Sequence, residues 1–300
     1  MSSADTTSTR KSLPAWLRRP IAASGQFSTV NGLLDDLSVN TVCQSAKCPN
    51  RGECFASGTA TFLIMGDACT RGCRFCAVET RVPAPLDADE PRRVAHAAAT
   101  LGLKHVVITT VTRDDIADGG AAHFVAVVDA VRAALPDADI EVLTSDFGGR
   151  LESVDTVAAA RPDVYNHNLE TVPRLYEEVR PGAEYDRSLA VLARVHETQP
   201  DMPTKSGLML GLGETPHEVC EVMDDLLRSG VSILTLGQYL RPSTAHLPVV
   251  EYVEPSVFAE LSRQAYRKGF SAVASAPYVR SSYHAGELAE KAAAADVGIG

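Results

Sequence analysis

The stretch TFLIMGDACTRGCRFC, residues 61–76, runs directly from an apolar, β-rich segment into three cysteines. Cys69, Cys73 and Cys76 are separated by three and then two residues, so three thiolates converge from one compact loop. A cubane iron–sulfur cluster normally takes four cysteine ligands, and a local set of three leaves one iron open to an exogenous ligand. The spacing therefore predicts a reaction site at the end of a first strand.

Beyond this loop, apolar segments typical of strands alternate with segments of helical periodicity. Strands are predicted at residues 61–65, 105–109, 140–144, 164–168, 206–210, 232–236 and 272–275. Amphipathic helices are predicted where apolar residues recur at helical spacing, at residues 94–101, 124–131 and 219–226. Such alternation implies a parallel sheet and favours a barrel or partial barrel over a doubly wound sheet, with functional loops at the carboxyl ends of the strands.

The bulk composition excludes several classes of protein. The 300 residues are 45% hydrophobic and 22% charged, which suits one large α/β domain. The net charge is -10 and no dense Lys/Arg run follows the pair Arg18 and Arg19, so nucleic-acid binding is not expected. No apolar stretch approaches the length of a membrane span and the first residues lack a hydrophobic signal core, so we expect a cytoplasmic protein that does not bind membranes.

A second group of cysteines lies upstream in CQSAKCPNRGEC, residues 43–54. Cys43, Cys48 and Cys54 suggest a second cluster whose fourth ligand comes from far along the chain. The residues alone leave two candidates, Cys220 within an amphipathic helix and the polar run PYVRSSYHAGE at residues 277–287. A disulfide scaffold is disfavoured by the odd total of seven cysteines, and zinc is disfavoured because only Cys73 and Cys76 have knuckle spacing.

The first cysteine motif, with the aromatic Phe75 before its last cysteine, resembles the radical S-adenosylmethionine superfamily. CQSAKCPNRGEC, CTRGCRFC and RSSYHA together resemble the lipoyl synthase family, from Trp16 to Ala285. The resemblance implies a partial (β/α)6-type TIM barrel with N-terminal and C-terminal extensions. It also implies two [4Fe-4S] clusters and S-adenosylmethionine as cofactors, the latter cleaved at the open iron to a 5′-deoxyadenosyl radical.

In that family a serine of the RSSY motif completes the auxiliary cluster, which is consumed as the sulfur source. The matching residue is Ser282, with Ser281 as the fallback. The resemblance therefore implies radical insertion of two sulfur atoms at C6 and C8 of a protein-bound octanoyl-lysine. It divides the chain into a disordered tail (1–15), an N-terminal extension carrying the auxiliary cysteines (16–60), the barrel (61–276) and a C-terminal segment with a flexible end (277–300).

Further candidates for contacts with S-adenosylmethionine come from the cysteine loop and from polar segments at or after the predicted strands. They are Phe75, Thr112, Asn168, Glu170, Arg180, Lys205, Gly213 and Glu214. Several have an ordinary alternative: residues 112–115 also fit a solvated loop, and Gly213 also fits a turn before a helix with Thr215 as N-cap and Pro216 at its first position. His167 is expected to be a strand cap without a catalytic role.

The expected partners follow from the same resemblance. They are octanoylated carrier domains of 2-oxoacid dehydrogenase E2 subunits and of the glycine cleavage H protein, a ferredoxin or flavodoxin reductant, and an iron–sulfur carrier that regenerates the auxiliary cluster. Two alternatives stay open: another radical enzyme with an auxiliary cluster, such as a methylthiotransferase or a biotin-synthase-like enzyme, and a two-cluster electron carrier. Cleavage of S-adenosylmethionine by the reduced protein separates the enzymes from the carrier.

Overall fold

The structure is a computed structural model that describes residues 13–18, 25–45, 50, 54, 59–283 and 285–297. Most of the tail predicted at residues 1–15, and the auxiliary ligand Cys48, lie outside the described residues. Cys43 lies within a described helix, but the placement of its side chain is not described. No described helix is long and apolar enough to span a bilayer.

The described strands form one large sheet and one small one. In chain order they are β1 (Asn40–Thr41), β2 (Thr59–Ile64), β3 (Ala68–Cys69), β4 (Glu79–Thr80), β5 (His105–Thr110), β6 (Asp139–Leu143), β7 (Val164–Asn166), β8 (Thr204–Leu210), β9 (Ile233–Gln238) and β10 (Ala272–Ser275). The large sheet has the order β1-β2-β5-β6-β7-β8-β9-β10, whereas β3 pairs only with β4. Every pairing in the large sheet is parallel except that of β1 with β2.

The described part of the large sheet is not closed, because β1 and β10 are its two edges. The partial barrel expected from the sequence is therefore confirmed. All seven predicted strands are present, with β10 at the expected residues and β8 beginning two residues earlier than expected. The strand predicted at residues 164–168 ends at Asn166, where the chain leaves the sheet toward the polar residues of the site.

The helices follow the strands in the alternating pattern. They are α1 (Gly25–Asp36), α2 (Val42–Ser45), α3 (Glu90–Thr100), α4 (Ala121–Ala134), α5 (Leu151–Ala159), α6 (Tyr176–Val179), α7 (Tyr185–Thr198), α8 (Pro216–Arg228), α9 (Pro255–Lys268) and α10 (Ala285–Val297). The three predicted helices correspond to α3, α4 and α8. Thr215 and Glu218 form a reciprocal capping box at the start of α8, with Pro216 in its first turn, as predicted.

The hydrophobic core lies between the sheet and the outer helices. Val106, Ile108, Ile140 and Val142 belong to the same buried cluster as residues of α3, α4 and α5. Because successive side chains of a strand point to opposite faces, residues such as Val107 and Glu141 face the interior of the partial barrel.

Helix α10 occupies part of that interior. Its Leu288 and Ala292 form a buried cluster with Val164, Ile233 and Ala272, one from each of β7, β9 and β10. At its first turn, a Cβ on Gly286 would lie 3.5 Å from the Cβ of His105 in β5. The residues just before α10, including the RSSY motif, are therefore brought to the barrel.

Candidate active site

The first cysteine motif lies over the carboxyl ends of the strands and is held by three other loops. The amide of Thr70 donates to the Thr112 carbonyl at 3.1 Å, after β5. The amide of Arg74 donates to Val179 at 2.9 Å, and the Arg74 carbonyl accepts from Leu247, after β9, at 3.1 Å. These backbone bonds fix residues 69–76 against the mouth of the barrel.

The entry into this loop is strained, and charged side chains hold it in place. Met65 has a φ of 67°, which a non-glycine residue adopts only when its surroundings enforce it. The Glu90 carboxylate accepts from the Met65 amide at 2.8 Å, and Arg113 donates to the Met65 carbonyl at 3.3 Å. Gly120 has a φ of 88°, which favours glycine, and a Cβ there would lie 2.2 Å from the Met65 sulfur.

Arg71, between the first two cysteines, ties the loop to two aspartates. Its guanidinium donates to both oxygens of Asp114, at 2.7 and 2.8 Å, and to Asp146 at 2.8 Å. Burial alone would raise the pKa of Asp146, but Arg71 outweighs it and lowers that pKa to about 2. Sequence reasoning missed this network, although Asp146 follows the predicted strand 140–144 where polar site residues are expected.

Two thiols of the loop, Cys73 and Cys76, have pKa values raised by their surroundings. Burial raises the pKa of Cys73, and it raises the pKa of Cys76 to about 12, with further increases from the neighbouring thiolates and Glu170. Without a compensating cation the thiolate forms of Cys73 and Cys76 are thus disfavoured, and a metal centre reverses this because coordination deprotonates a thiol. The donor set fits a cluster held by Cys69, Cys73 and Cys76.

This fit concerns a cluster rather than a single ion. No three His, Cys, Asp or Glu side chains among the described residues are gathered closely enough to hold one metal ion. In a cubane cluster each cysteine binds a different iron, so its ligands need not converge on one point.

A polar group beside the thiols is formed by residues that follow β7. Arg180 donates to the carbonyl of Asn168 and to the Tyr176 hydroxyl, both at 2.8 Å, and its charge lowers the pKa of the Cys73 thiol against the effect of burial. Asn168 donates to Glu170 at 3.1 Å. Burial raises the pKa of Glu170, which has a strained φ of 68°. The fold therefore brings Cys73, Asn168, Glu170 and Arg180 together.

Several buried polar atoms at this end of the barrel have no hydrogen-bond partner among the described residues. They are Asn168 Oδ1, Thr171 Oγ1, His167 Nε2 and Arg180 Nε. An unpaired buried polar atom costs free energy, so a concentration of them indicates a place where a polar ligand binds.

The RSSY segment reaches the same place. Asn168 donates to the Ser281 hydroxyl at 3.1 Å, although 113 residues separate them. The adjacent Ser282 is half-buried. From the N-terminal extension, the Asn50 side chain donates to the Tyr278 carbonyl at 2.7 Å, and the Cys54 amide donates to the Asn50 carbonyl at 3.0 Å. The segments that carry Cys54 and Ser282 are thus adjacent, a proximity that the sequence pattern alone could not supply.

The other residues predicted to contact S-adenosylmethionine lie at several different places in the structure. Thr112 lies against the cysteine loop, because its amide donates to the Cys69 sulfur at 3.3 Å, and Phe75 packs against the core cluster of β8 and β9. The Glu214 carboxylate accepts from the amides of Gly211 and Leu212, so it stabilises its own turn. Gly213 belongs to the same turn, and its carbonyl accepts from Arg174.

Lys205 is not brought to the group around Asn168. Its ammonium lies 2.9 Å from the Glu141 carboxylate, and both side chains are buried inside the barrel. Lys205 is two residues before Gly207 on the same face of β8, and a Cβ on Gly207 would lie 3.0 Å from Asn168 Oδ1. Lys205 therefore lies one layer deeper than Asn168, with its charge already paired.

Comparison with known sequences identifies relatives over most of the chain. The family model of the radical SAM superfamily matches residues 63–226. Lipoyl synthase of Thioalkalivibrio sulfidiphilus is 54% identical over 279 residues, covering 93% of this chain and 87% of that protein. Lipoyl synthase of Caldanaerobacter subterraneus subsp. tengcongensis is 56% identical over 272 residues, covering 91% of this chain and 95% of that protein.

Solved structures with low sequence identity share the fold. Methylornithine synthase (PylB) matches with a TM-score of 0.53 and 15% identity, over 80% of this chain and 73% of that one. SuiB of Streptococcus suis bound to S-adenosylmethionine matches with a TM-score of 0.53 and 13% identity, over 80% of this chain and 57% of that one. At this identity the likeness concerns the architecture alone.

Proposed function

The chain belongs to the lipoyl synthase family of radical S-adenosylmethionine enzymes, and we propose that it inserts sulfur at C6 and C8 of an octanoyl group bound to a lysine of a carrier protein. The observation that carries this proposal is the meeting of three elements at one end of the barrel: the Cys69–Cys76 loop, the polar group around Asn168 and the RSSY segment. A radical enzyme that uses a second cluster as sulfur donor needs these elements side by side.

When bound, the first cluster supplies the electron that cleaves S-adenosylmethionine to a radical, and the auxiliary cluster supplies the sulfur atoms. Cys69, Cys73 and Cys76 hold the first cluster. Arg180 places a positive charge beside Cys73, which favours its thiolate. The Arg71 network keeps the loop in position, since it joins the loop to the segments after β5 and β6.

The polar group around Asn168 suits the amino-acid part of S-adenosylmethionine. Glu170 is a buried carboxylate with a raised pKa, so an ammonium group beside it stabilises its charged form. Arg180 offers a buried Nε and Asn168 a buried Oδ1, neither of which has a partner among the described residues. One hydrogen-bond donor and one hydrogen-bond acceptor are therefore available to bind a zwitterionic ligand.

Cys43, Cys48, Cys54 and Ser282 are proposed to hold the auxiliary cluster. Ser282 is preferred over Ser281 because the Ser281 oxygen already accepts a hydrogen bond from Asn168. Cys220 is a poor alternative, since it lies on α8 in the outer layer and contacts Gln264 of α9 at 2.8 Å. An alkoxide is a harder and more labile ligand for iron than a thiolate, which suits a cluster that gives up its sulfur.

We also propose the proteins with which this enzyme interacts. A lipoyl-carrier protein is the substrate, and we expect octanoylated E2 domains and the glycine cleavage H protein to serve. Ferredoxin or flavodoxin is the proposed reductant, and an iron–sulfur carrier is proposed to rebuild the auxiliary cluster. The proposed compartment is the cytoplasm.

The test is anaerobic reconstitution followed by reaction with S-adenosylmethionine, dithionite and an octanoyl-lysyl peptide. Mass spectrometry of the peptide should show the gain of two sulfur atoms together with release of 5′-deoxyadenosine. Cys76→Ala should abolish 5′-deoxyadenosine release, whereas the control Cys220→Ala should react as the unaltered protein does. Release of 5′-deoxyadenosine with an unmodified peptide would retain the radical chemistry and refute this substrate.

A further inference from the structure

The side-chain amide of Asn168 has both of its N–H groups engaged. Nδ2 donates to Glu170 Oε1 and to Ser281 Oγ, each at 3.1 Å. The carboxylate fixes the orientation of the amide, because rotating it by 180° would put Oδ1 against a carboxylate oxygen. Asn168 thus joins a residue of the proposed S-adenosylmethionine pocket to the residue next to the proposed auxiliary ligand Ser282.

The backbone before Ser281 is confined on two other sides. The backbone amide of Gln238, at the end of β9, donates to the Pro277 carbonyl at 3.2 Å. The side-chain amide of Asn50 donates to the Tyr278 carbonyl. A Cβ on Gly237 would lie 2.1 Å from the Val279 carbonyl oxygen, so the segment lies directly on β9. The Asn168 bond adds a contact at Ser281, within a turn in which the backbone amide of Tyr283 donates to the Arg280 carbonyl at 2.9 Å.

The remaining acceptor of Asn168 faces the interior. Oδ1 is buried without a partner among the described residues and lies close to Gly207, where a Cβ would be 3.0 Å away. This acceptor belongs to the same amide that donates to Ser281. The two proposed sites therefore share one rigid side chain.

We propose that Ser281 is a positioning residue that holds Ser282 on the auxiliary cluster through its hydrogen bond to Asn168. This inference rests on the proposed function, since it names a residue that supports the same site.

The test measures auxiliary iron directly rather than product. In the full chain with Cys69, Cys73 and Cys76 replaced by alanine, all cluster iron belongs to the auxiliary site, and its transfer to a chelator is followed by absorbance. Ser281→Ala should release iron about fivefold faster, the loss that one neutral hydrogen bond would produce. Ser281→Thr should restore the slow rate, whereas Ser281→Val, which matches threonine in shape but lacks the hydroxyl, should not.

A second measurement uses the chain with its first three cysteines intact. Equilibrium dialysis should show that Ser281→Val binds S-adenosylmethionine within about twofold of the unaltered protein, whereas Asn168→Ala weakens binding. In the chain without the first three cysteines, Asn168→Ala should also speed iron release, because it removes the same hydrogen bond. Equal iron release from Ser281→Thr and Ser281→Val would overturn the inference, even if peptide sulfuration proceeds normally. Absence of sulfuration in the unaltered protein would instead refute the proposed function, while the comparison of iron release would still test Ser281.

Discussion

The ammonium of Lys205 lies 2.9 and 3.0 Å from the two carboxylate oxygens of Glu141, inside the barrel and beneath the candidate site. Asn166 donates to the same carboxylate at 2.9 Å. The side chains of Lys205 and Glu141 are 1% and 0% exposed, so water cannot replace either partner. The pair is therefore part of the buried framework of the barrel.

Removing the lysine should therefore strongly destabilise the protein. Lys205→Met removes the closest cation from a buried carboxylate and should lower the free energy of unfolding by about 3–5 kcal/mol. The His105 ring, whose Nε2 lies 3.6 Å from the same carboxylate, remains as its nearest titratable neighbour. Lys268→Met is the matched control, because Lys268 pairs with Asp224 at 2.6 Å on the surface. It should cost at most about 1 kcal/mol. Urea unfolding measures both, and similar losses in the two variants would contradict the buried pair.

Because of the same pair, the free energy of unfolding should depend on pH in the acid range. Burial alone would raise the pKa of Glu141, but Lys205 and the other polar neighbours outweigh it and lower the pKa to about 2, from 4.5. The unfolded chain then binds a proton more readily, so this stabilisation is complete above pH 4.5 and is lost as the pH falls toward 2. The shift corresponds to about 3 kcal/mol. Unfolding between pH 5 and 3 should be less pH-dependent in the double variant Lys205→Met/Glu141→Leu than in the unaltered protein.

His167 should make the free energy of unfolding depend on pH in a higher range than Glu141 does. Its Nδ1 lies 2.9 Å from the Thr144 carbonyl, so that nitrogen carries the proton, and burial with Arg180 nearby lowers the pKa of His167 to about 4, from 6.5. The folded protein keeps the ring neutral while the unfolded chain takes up a proton, so stability falls as the pH falls from 6.5 toward 4.

The matched variants for this effect are His167→Gln and His217→Gln. His217 is exposed on α8, so His217→Gln is the control for replacing a histidine by glutamine on the surface. His167→Gln should flatten the stability curve between pH 6.5 and 4 by up to about 3 kcal/mol. Equal curves for the two variants would show that His167 is not held neutral by the fold.

Much of the architecture could be predicted because its causes are local. Apolar runs and helical spacing identified β2 and β5–β10 as well as α3, α4 and α8, and the spacing of Cys69, Cys73 and Cys76 indicated a cluster loop. The adjacent residues Thr215 and Pro216 indicated where α8 begins. Each of these features is determined within about a dozen residues of sequence.

The features that could not be predicted from the sequence depend on contacts between segments that are far apart in the chain. The ion pair of Lys205 with Glu141 was not predicted, because the two residues are 64 positions apart in the sequence. The placement of α10 inside the barrel depends on Leu288 and Ala292 meeting three separate strands. Ser281 and Asn168, 113 residues apart, likewise become neighbours only in the folded chain.

Arg71 offers a test of how the cysteine loop is held. Asp146 is completely buried, so Arg71→Met deprives it of its closest charged partner and should lower the free energy of unfolding by about 2–3 kcal/mol. It should also reduce the iron bound by the first cluster after reconstitution. Arg81→Met is the control, since Arg81 pairs with Asp67 on the surface and should matter little. Full iron loading of Arg71→Met would show that the loop is positioned without this network.

Gly237 tests whether the RSSY segment is held against β9. A Cβ there would lie 2.1 Å from the Val279 carbonyl oxygen, a backbone atom that moves only if the segment moves, so Gly237→Ala should cost about 1–3 kcal/mol. Gly32→Ala in α1 is the control, since a Cβ there meets nothing within 4 Å and alanine should stabilise the helix by up to about 1 kcal/mol. In Gly237→Ala the displaced segment should also carry Ser282 away and reduce auxiliary iron, measured in the chain lacking the first three cysteines. Auxiliary iron and stability equal to those of Gly32→Ala would mean that residues 277–283 do not rest on β9 as the structure shows.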